Sequence, residues 1–328
     1  LDDATTYDFY IQSNCMSTNG SVSPWVGPIT VTVPCSPTQK TYIEGFENLA
    51  ATFGSTAAPN LADCWVQDRG SAASYVRGMS NTYGTAYGSG YMEFWGMAMV
   101  SDTVVLSSPP IENLSTEGAE VTFYAMVNSA TYLGELEVGT SDYSGSISSS
   151  RAATGISLST SWQEFSVYLD SNFVQSGDAR VAFILPEGNG QWNDLRIDSV
   201  TIADLPTCGT YNHVISSVSD TSADLTWEYF GNDCFTIEYG LAGFVQGTGV
   251  GAQSGTLDSN ITSNYSISGL SPNTTYDFYV ENCCNPGTWE GPFTFTTECT
   301  GPLAAGTYSV GPTGDFVTMD SVISVLNA

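Results

Sequence analysis

The chain of 328 residues exceeds what one hydrophobic core usually serves, so two or three domains are expected. It carries 34 acidic against 6 basic residues, a formal charge of −28, with Lys40 its only lysine. That field repels nucleic acid and anionic membrane, which require clustered Lys and Arg, and it suits cations.

Frequent Gly, Tyr, Ser and Thr with 41% hydrophobic residues describe a β-rich globular chain. No apolar run approaches the 18 or so residues of a membrane span. The sequence opens inside a strand pattern, so a targeting signal is expected upstream. Eight cysteines accompany a single histidine and no CxxC spacing. Disulfides, and hence export, are favoured over zinc.

In chain order, Thr5-Thr6-Tyr7-Asp8-Phe9-Tyr10-Ile11 comes first, and it returns 269 residues later as Thr274-Thr275-Tyr276-Asp277-Phe278-Tyr279-Val280. Trp25-Val26-Gly27-Pro28-Ile29-Thr30-Val31 likewise returns as Trp289-Glu290-Gly291-Pro292-Phe293-Thr294-Phe295. Cys35 and Cys299 close the two copies. Residues 1–35 therefore read as the last two strands of a module whose complete copy spans 206–299.

From 36 to 205 the pattern changes. Tyr42–Asn48, Asp63-Cys64-Trp65, Leu106–Ile111 and Leu195–Ile202 follow in that order, with alternating strands expected at Ala119–Met126, Gly134–Val138, Trp162–Leu169 and Ala179–Leu185. The series resembles the cleaved-adhesin, MAM-like and choice-of-anchor jelly-roll modules of exported bacterial adhesins. In 206–299, Ser222–Trp227 and Phe235–Gly240 alternate as strands, and Leu270-Ser271-Pro272-Asn273-Thr274-Thr275-Tyr276 has the form of a tyrosine corner. This stretch resembles a fibronectin type III domain. After Cys299, Gly306–Phe316 precedes Met319, Val322, Ile323 and Leu326 at helical spacing, which resembles the opening cap of a right-handed β-helix. The fold expected is all-β: fibronectin-like sandwiches flanking a jelly roll, then the start of a β-helix.

The jelly-roll resemblance implies Ca2+ between its first and last strands, held by Glu47 and Asp198, with Glu44 and Asp194 as further candidates. Calcium needs six to eight oxygens. Where related modules carry two consecutive acids, Ser199 stands second here. Tyr83, Tyr87, Tyr91, Trp95 and Tyr143 lie in Gly/Ser-rich surroundings, where exposed aromatics can hold sugar rings. His213 has no Gly-x-Ser-x-Gly elbow to serve and is read as structural. Asp102-Thr103-Val104 resembles a short O-glycosylation motif of Bacteroidota-type exported proteins.

On the strand order of a fibronectin domain, Cys208, Cys234, Cys283 and Cys284 gather at one pole. Cys283 is given the place of Cys15, which implies Cys208–Cys283 and Cys234–Cys284. Cys35–Cys64 is the local pair of the jelly roll, with Cys35–Cys208 the alternative. Cys15 and Cys299 then have no mates within these residues.

The modules together resemble large type IX-secreted adhesins of gliding or polysaccharide-associated bacteria. The implied function is a non-catalytic fragment of a cell-surface adhesin or filament protein, a modular spacer whose partners are an extracellular glycan, a protein surface or copies of itself. Two alternatives stay open: ancillary modules of a polysaccharide-degrading enzyme with a catalytic β-helix downstream, and a structural sheath subunit.

Overall fold

The computed structural model describes the chain apart from residues 4, 16–20, 48, 50–60, 70–73, 81–83, 97–102, 129–134, 171–172, 187–194, 248–254, 300–306, 312–313, 317, 320–321 and 323–328. It divides into two compact units, Leu1–Leu205 and Pro206–Ala328.

The first unit opens with β1 (Thr6–Ile11), β2 (Asn14–Cys15), β3 (Ser21–Val22) and β4 (Val26–Thr32), in which β1 pairs β4 as an isolated two-stranded sheet. There follow β5 (Tyr42–Glu44), β6 (Val66–Arg69), β7 (Ser74–Ser80), β8 (Gly90–Gly96), β9 (Val104–Ser107) and the single-turn helix α1 (Leu114–Glu117). Then come β10 (Ala119–Val127), β11 (Glu135–Ser141), β12 (Ile147–Ser157), β13 (Gln163–Leu169), β14 (Arg180–Leu185) and β15 (Leu195–Ala203).

These strands form two sheets. One has the order β13-β10-β15-β8-β7, with β5 also paired to β15, and the other runs β12-β11-β14-β9-β6. Alternation, reset in β15 by a bulge at Ser199, sends Val121, Phe123, Ile197 and Ile202 from the first sheet, and Leu106, Leu136, Val181 and Phe183 from the second, into one buried core. The terminal strands are neighbours, because Glu44 lies opposite Val200 and Tyr42 opposite Ile202. This is a jelly-roll sandwich, and Cys35–Cys64 staples its entry with Cα atoms 5.8 Å apart.

The second unit contains β16 (Gly209–Ser216), β17 (Ser222–Phe230), β18 (Phe235–Leu241), β19 (Thr256–Ile261), β20 (Asn264–Ser268), β21 (Thr275–Asn282) and β22 (Trp289–Thr296). A three-stranded sheet β16-β17-β20 accompanies a four-stranded sheet β19-β18-β21-β22. Ala223, Leu225, Trp227 and Ile267 share a core with Phe235, Ile237, Phe278 and Val280. The Tyr276 hydroxyl accepts the Ser271 amide at 2.8 Å, closing the tyrosine corner. The unit has the fibronectin type III architecture.

The repeat extends to atomic detail. Tyr7 faces Val31 and Phe9 faces Ile29, as Tyr276 faces Phe295 and Phe278 faces Phe293. Asp8 accepts from the Thr30 hydroxyl at 2.6 Å, and Asp277 from Thr294 at the same distance. In both hairpins a cis Gly-Pro bond follows the tryptophan by two residues. A Cβ on Gly27 or Gly291 would come within 2.7 Å of the Phe9 or Phe278 carbonyl, so only glycine allows the two backbones to approach this closely.

Two bridges differ from expectation: Cys208 is joined to Cys284, and Cys234 to Cys283. Phe235 and Asn282 form a ladder rung, and the Cys283 amide donates to the Cys234 carbonyl at 2.9 Å, so those two cysteines are the next cross-strand pair. Counting at the 269-residue spacing, Cys15 falls on Cys284, not on Cys283. The partner shared by the repeats therefore belongs to Cys284.

Beyond Cys299 the described residues show a parallel bridge between Val310 and Phe316, with Tyr308 edge-on to Phe316. Ile323 and Leu326, half of the helical stripe expected there, lie outside the described residues.

Candidate functional site

The outer face of the six-stranded sheet gathers most of the chemistry. Leu195 and Ile197 point into the core, so Arg196 and Asp198 project from the opposite side of β15. Register places Arg196 opposite Glu93 and Asp198 opposite Tyr124.

Asp198 is fully buried. Its Oδ2 accepts the amides of Ala86 at 2.8 Å and Tyr87 at 3.1 Å, and its Oδ1 accepts the Ser199 hydroxyl at 3.3 Å. Burial pushes its pKa above the usual carboxylate range, against the pull of those amides. Glu47 reaches the same turn, where its Oε2 accepts the Ser89 amide at 2.5 Å and the Ser89 hydroxyl at 2.7 Å. The amides accepted by the two acids span only four residues, no more than about 10 to 14 Å of extended chain. Glycines make this fit possible: a Cβ on Gly88 would lie 1.6 Å from Glu47 Oε1, and one on Gly90 would lie 1.9 Å from the Phe46 carbonyl.

The other metal candidates behave differently. Glu44 turns onto its own segment, accepting the Phe46 amide at 2.7 Å and the Tyr42 hydroxyl at 3.1 Å. Asp194 lies outside the described residues. Among the described residues no three His, Cys, Asp or Glu side chains are gathered for a metal. The chain thus offers Glu47 and Asp198 at one turn, which fit a hard cation only if backbone and water complete the shell.

The acids display an aromatic pair. Tyr87 is 58% exposed and sits edge-on to Tyr124, ring centroids 5.2 Å apart and hydroxyls 3.4 Å apart. Tyr124 was missed in the sequence, although strict alternation in β10 turns it outward with Glu120 and Thr122. Of the aromatics expected at the surface, Tyr143 is exposed, but Tyr91 is fully buried against Trp162 with the Arg196 guanidinium 5.2 Å above its ring. Tyr83 lies outside the described residues, as does the side chain of Trp95.

Beside this pair a sealed ion cluster was also missed. Arg77 Nη2 lies 2.5 Å from Glu93 Oε2, and Arg196 Nε lies 3.3 Å from Glu93 Oε1. Glu93 and Arg196 are buried, so this cluster anchors the sheet face and leaves Tyr87 and Tyr124 as the accessible groups.

His213 does not form a catalytic relay. Its Nε2 meets the Thr210 hydroxyl at 2.9 Å, and Glu290 approaches that same nitrogen at 3.8 Å. In a nucleophile–base–orienter arrangement the carboxylate holds the opposite nitrogen. The ring stacks on Phe293 at 4.0 Å, and burial pushes its pKa down to about 4.

No family model matches the chain, and no curated protein does. Among solved structures it is similar to the K1 cleaved adhesin domain of Lys-gingipain from Porphyromonas gingivalis W83, at 17% identity and TM-score 0.36, over 50% of this chain and 98% of that one. It is similar to the CBM22-1 xylan-binding domain of Paenibacillus barcinonensis Xyn10C, at 12% identity and TM-score 0.33, over 51% of this chain and 96% of that one. The fn3 domain of human contactin 1 is similar at 17% identity and TM-score 0.26, covering 31% and 87%. Three disulfides and an all-β fold are consistent with an extracellular protein, and no helix among the described residues is long and apolar enough to cross a membrane.

Proposed function

We propose that this chain is a non-catalytic adhesion fragment of an exported modular protein, in which the jelly roll presents a glycan-binding face and the fibronectin-like modules act as stapled spacers. The observation that carries this reading is the pinned turn at Ala86–Ser89: two carboxylates fix its backbone so that Tyr87 stands exposed against Tyr124. A rigid aromatic edge costs little entropy to occupy, and its face suits the C–H surface of a sugar ring. Affinity electrophoresis of the full chain in gels containing soluble polysaccharides tests it. Retardation by at least one polysaccharide is expected, while turnover of any of them would support the polysaccharide-degrading alternative instead.

A role for Ca2+ has its own support. Asp198 is a buried carboxylate whose bonded partners are two amides and a hydroxyl, none of them charged, and a buried anion is ordinarily paired with a cation or a metal. Calcium shared with Glu47 would reinforce the turn. EDTA should then lower the melting temperature of the first unit and added calcium restore it. An unchanged melting curve in both conditions removes the metal from the account.

A further inference from the structure

A second turn of the jelly roll is pinned beneath an exposed tyrosine. Tyr143 lies between β11 and β12 and is 54% exposed. Asp142 Oδ1 accepts the Ser144 amide at 2.8 Å, the Ser144 hydroxyl at 2.6 Å and the Ser146 amide at 3.0 Å, which closes the turn from within. The buried Arg180 guanidinium holds it from the other side, donating to the Tyr143 carbonyl at 3.1 Å. It also donates to the carbonyls of Cys64 at 2.8 Å and Ser108 at 2.6 Å, so three connecting segments share one anchor.

Tyr143 borders a cleft of about 440 Å³ whose lining includes Ile111, Glu112, Ser115 and Asp178. Its backbone is already committed: the Ile111 amide donates to the Ala179 carbonyl at 2.7 Å, and the Glu112 amide to the Thr38 carbonyl at 2.9 Å. Asp178 is buried and accepts the Thr140 hydroxyl at 2.6 Å, the Gln175 amide at 2.7 Å and the Ser148 hydroxyl. The Glu112 carboxylate and the Ser115 hydroxyl, by contrast, hold no hydrogen bond among the described residues. No Lys, Arg or His among the described residues lines the cleft.

We propose that the Tyr143 cleft is a second glycan site of the jelly roll, taking a short segment of neutral or amino sugar and refusing acidic sugars. A ring on a turn fixed from both sides costs little entropy to occupy, and its face suits the C–H surface of a pyranose. Glu112 and Ser115 supply the polar groups that orient the ligand, through its hydroxyls or an ammonium group. Glu112 and Asp178, with no cation beside them in the lining, repel a sugar carboxylate. The volume falls within the roughly 300 to 1,000 Å³ of small-ligand sites. Tyr143 follows a strand of the second sheet, whereas Tyr124 belongs to the first, so this site extends the glycan reading without depending on the Tyr87–Tyr124 pair.

The test titrates the methyl glycosides of glucose, galactose, mannose, N-acetylglucosamine and glucosamine into the full 15N-labelled chain, with methyl glucuronide as the acidic arm. At least one neutral or amino glycoside is expected to shift the Tyr143 and Ser115 amides saturably, and the glucuronide to shift neither. Tyr143→Ala should weaken that binding about tenfold or more, and Tyr143→Phe should keep most of it. Both variants alter an exposed side chain, so folding stays intact. Tyr87→Ala should leave the Tyr143 shift unchanged. Shifts confined to amides around Tyr87 overturn this proposal and leave the tyrosine face standing. The absence of a saturable shift at tens of millimolar glycoside, a shift indifferent to Tyr143→Ala, or equal binding of the glucuronide overturns it as well.

Discussion

Asp198 accepts the amide of Tyr87 across 111 residues of sequence, and this contact holds the stretch of backbone that carries the exposed ring. Replacing Asp198 by alanine leaves two amides without their acceptor, at about 2 to 4 kcal/mol. Asp198→Asn keeps an acceptor oxygen and removes the buried charge. The raised folded-state pKa means that protonation favours the native state, stabilising it as pH falls through that value and not at neutral pH. In calcium-free buffer at pH 7 the asparagine variant should therefore unfold no earlier than wild type, whereas the alanine variant unfolds earlier. Denaturant titration of both variants checks the order.

The ion cluster gives a second expectation. Glu93 bridges Arg77 and Arg196, so Glu93→Ala removes a buried carboxylate that both guanidiniums share and should cost about 3 to 5 kcal/mol. Glu93→Gln should cost less, because its amide oxygen still accepts from one guanidinium, although its NH2 then faces the donors of the other. Unfolding midpoints at equal slope would separate the two.

The pH dependence of the second unit should trace to His213. Its pKa is about 4 in the fold against an ordinary 6.5, so the unfolded chain takes up the proton first. Stability is complete above pH 6.5 and declines as pH falls toward 4, by up to about 3 kcal/mol. Glu290, the charged group facing the ring at 3.8 Å, opposes part of the loss. His213→Gln should flatten this limb of the stability–pH curve relative to wild type, and an unchanged slope would assign it to carboxylates.

Much of this architecture was legible because both sandwiches obey strict alternation. Val121, Phe123 and Ala125 in β10, and Ala223, Leu225 and Trp227 in β17, announce strands with one buried face. Strand β12 did not announce itself, since Ile147–Ser157 is mostly Ser, Ala and Gly at a sheet edge, and its register against β11 shifts repeatedly. The pairing of Glu47 and Asp198 with one turn could be anticipated from the adjacency of the terminal strands. That they grip backbone amides could not, because an amide carries no residue signature. Tyr124 and Glu93 were hidden for a related reason: their importance lies in cross-strand neighbours supplied by β15, far along the chain. The cysteine exchange came from aligning Asn-Cys with Asn-Cys, whereas strand register aligns Cys15 with Cys284.

Peptide mapping of the unreduced chain should recover Cys35–Cys64, Cys208–Cys284 and Cys234–Cys283. Because Cys283 and Cys284 are adjacent, cleavage between them or fragmentation in the gas phase is needed to assign them. Each bridge closes a loop of 29 to 76 residues and contributes about 4 kcal/mol by restricting the unfolded chain. Reduction should thus lower the unfolding midpoint of the second unit, which has two bridges, more than that of the first.

Titration calorimetry of the full chain against whichever polysaccharide retards it most tests the adhesive face directly, using wild type, Tyr87→Phe, Tyr87→Ala and Tyr124→Ala. The ring-bearing Tyr87→Phe should keep most of the affinity, and each alanine variant should lose about tenfold, equivalent to about 1.4 kcal/mol. Equal affinities across all four proteins, or a chain that no polysaccharide retards, would contradict the glycan-binding role of the Tyr87–Tyr124 pair.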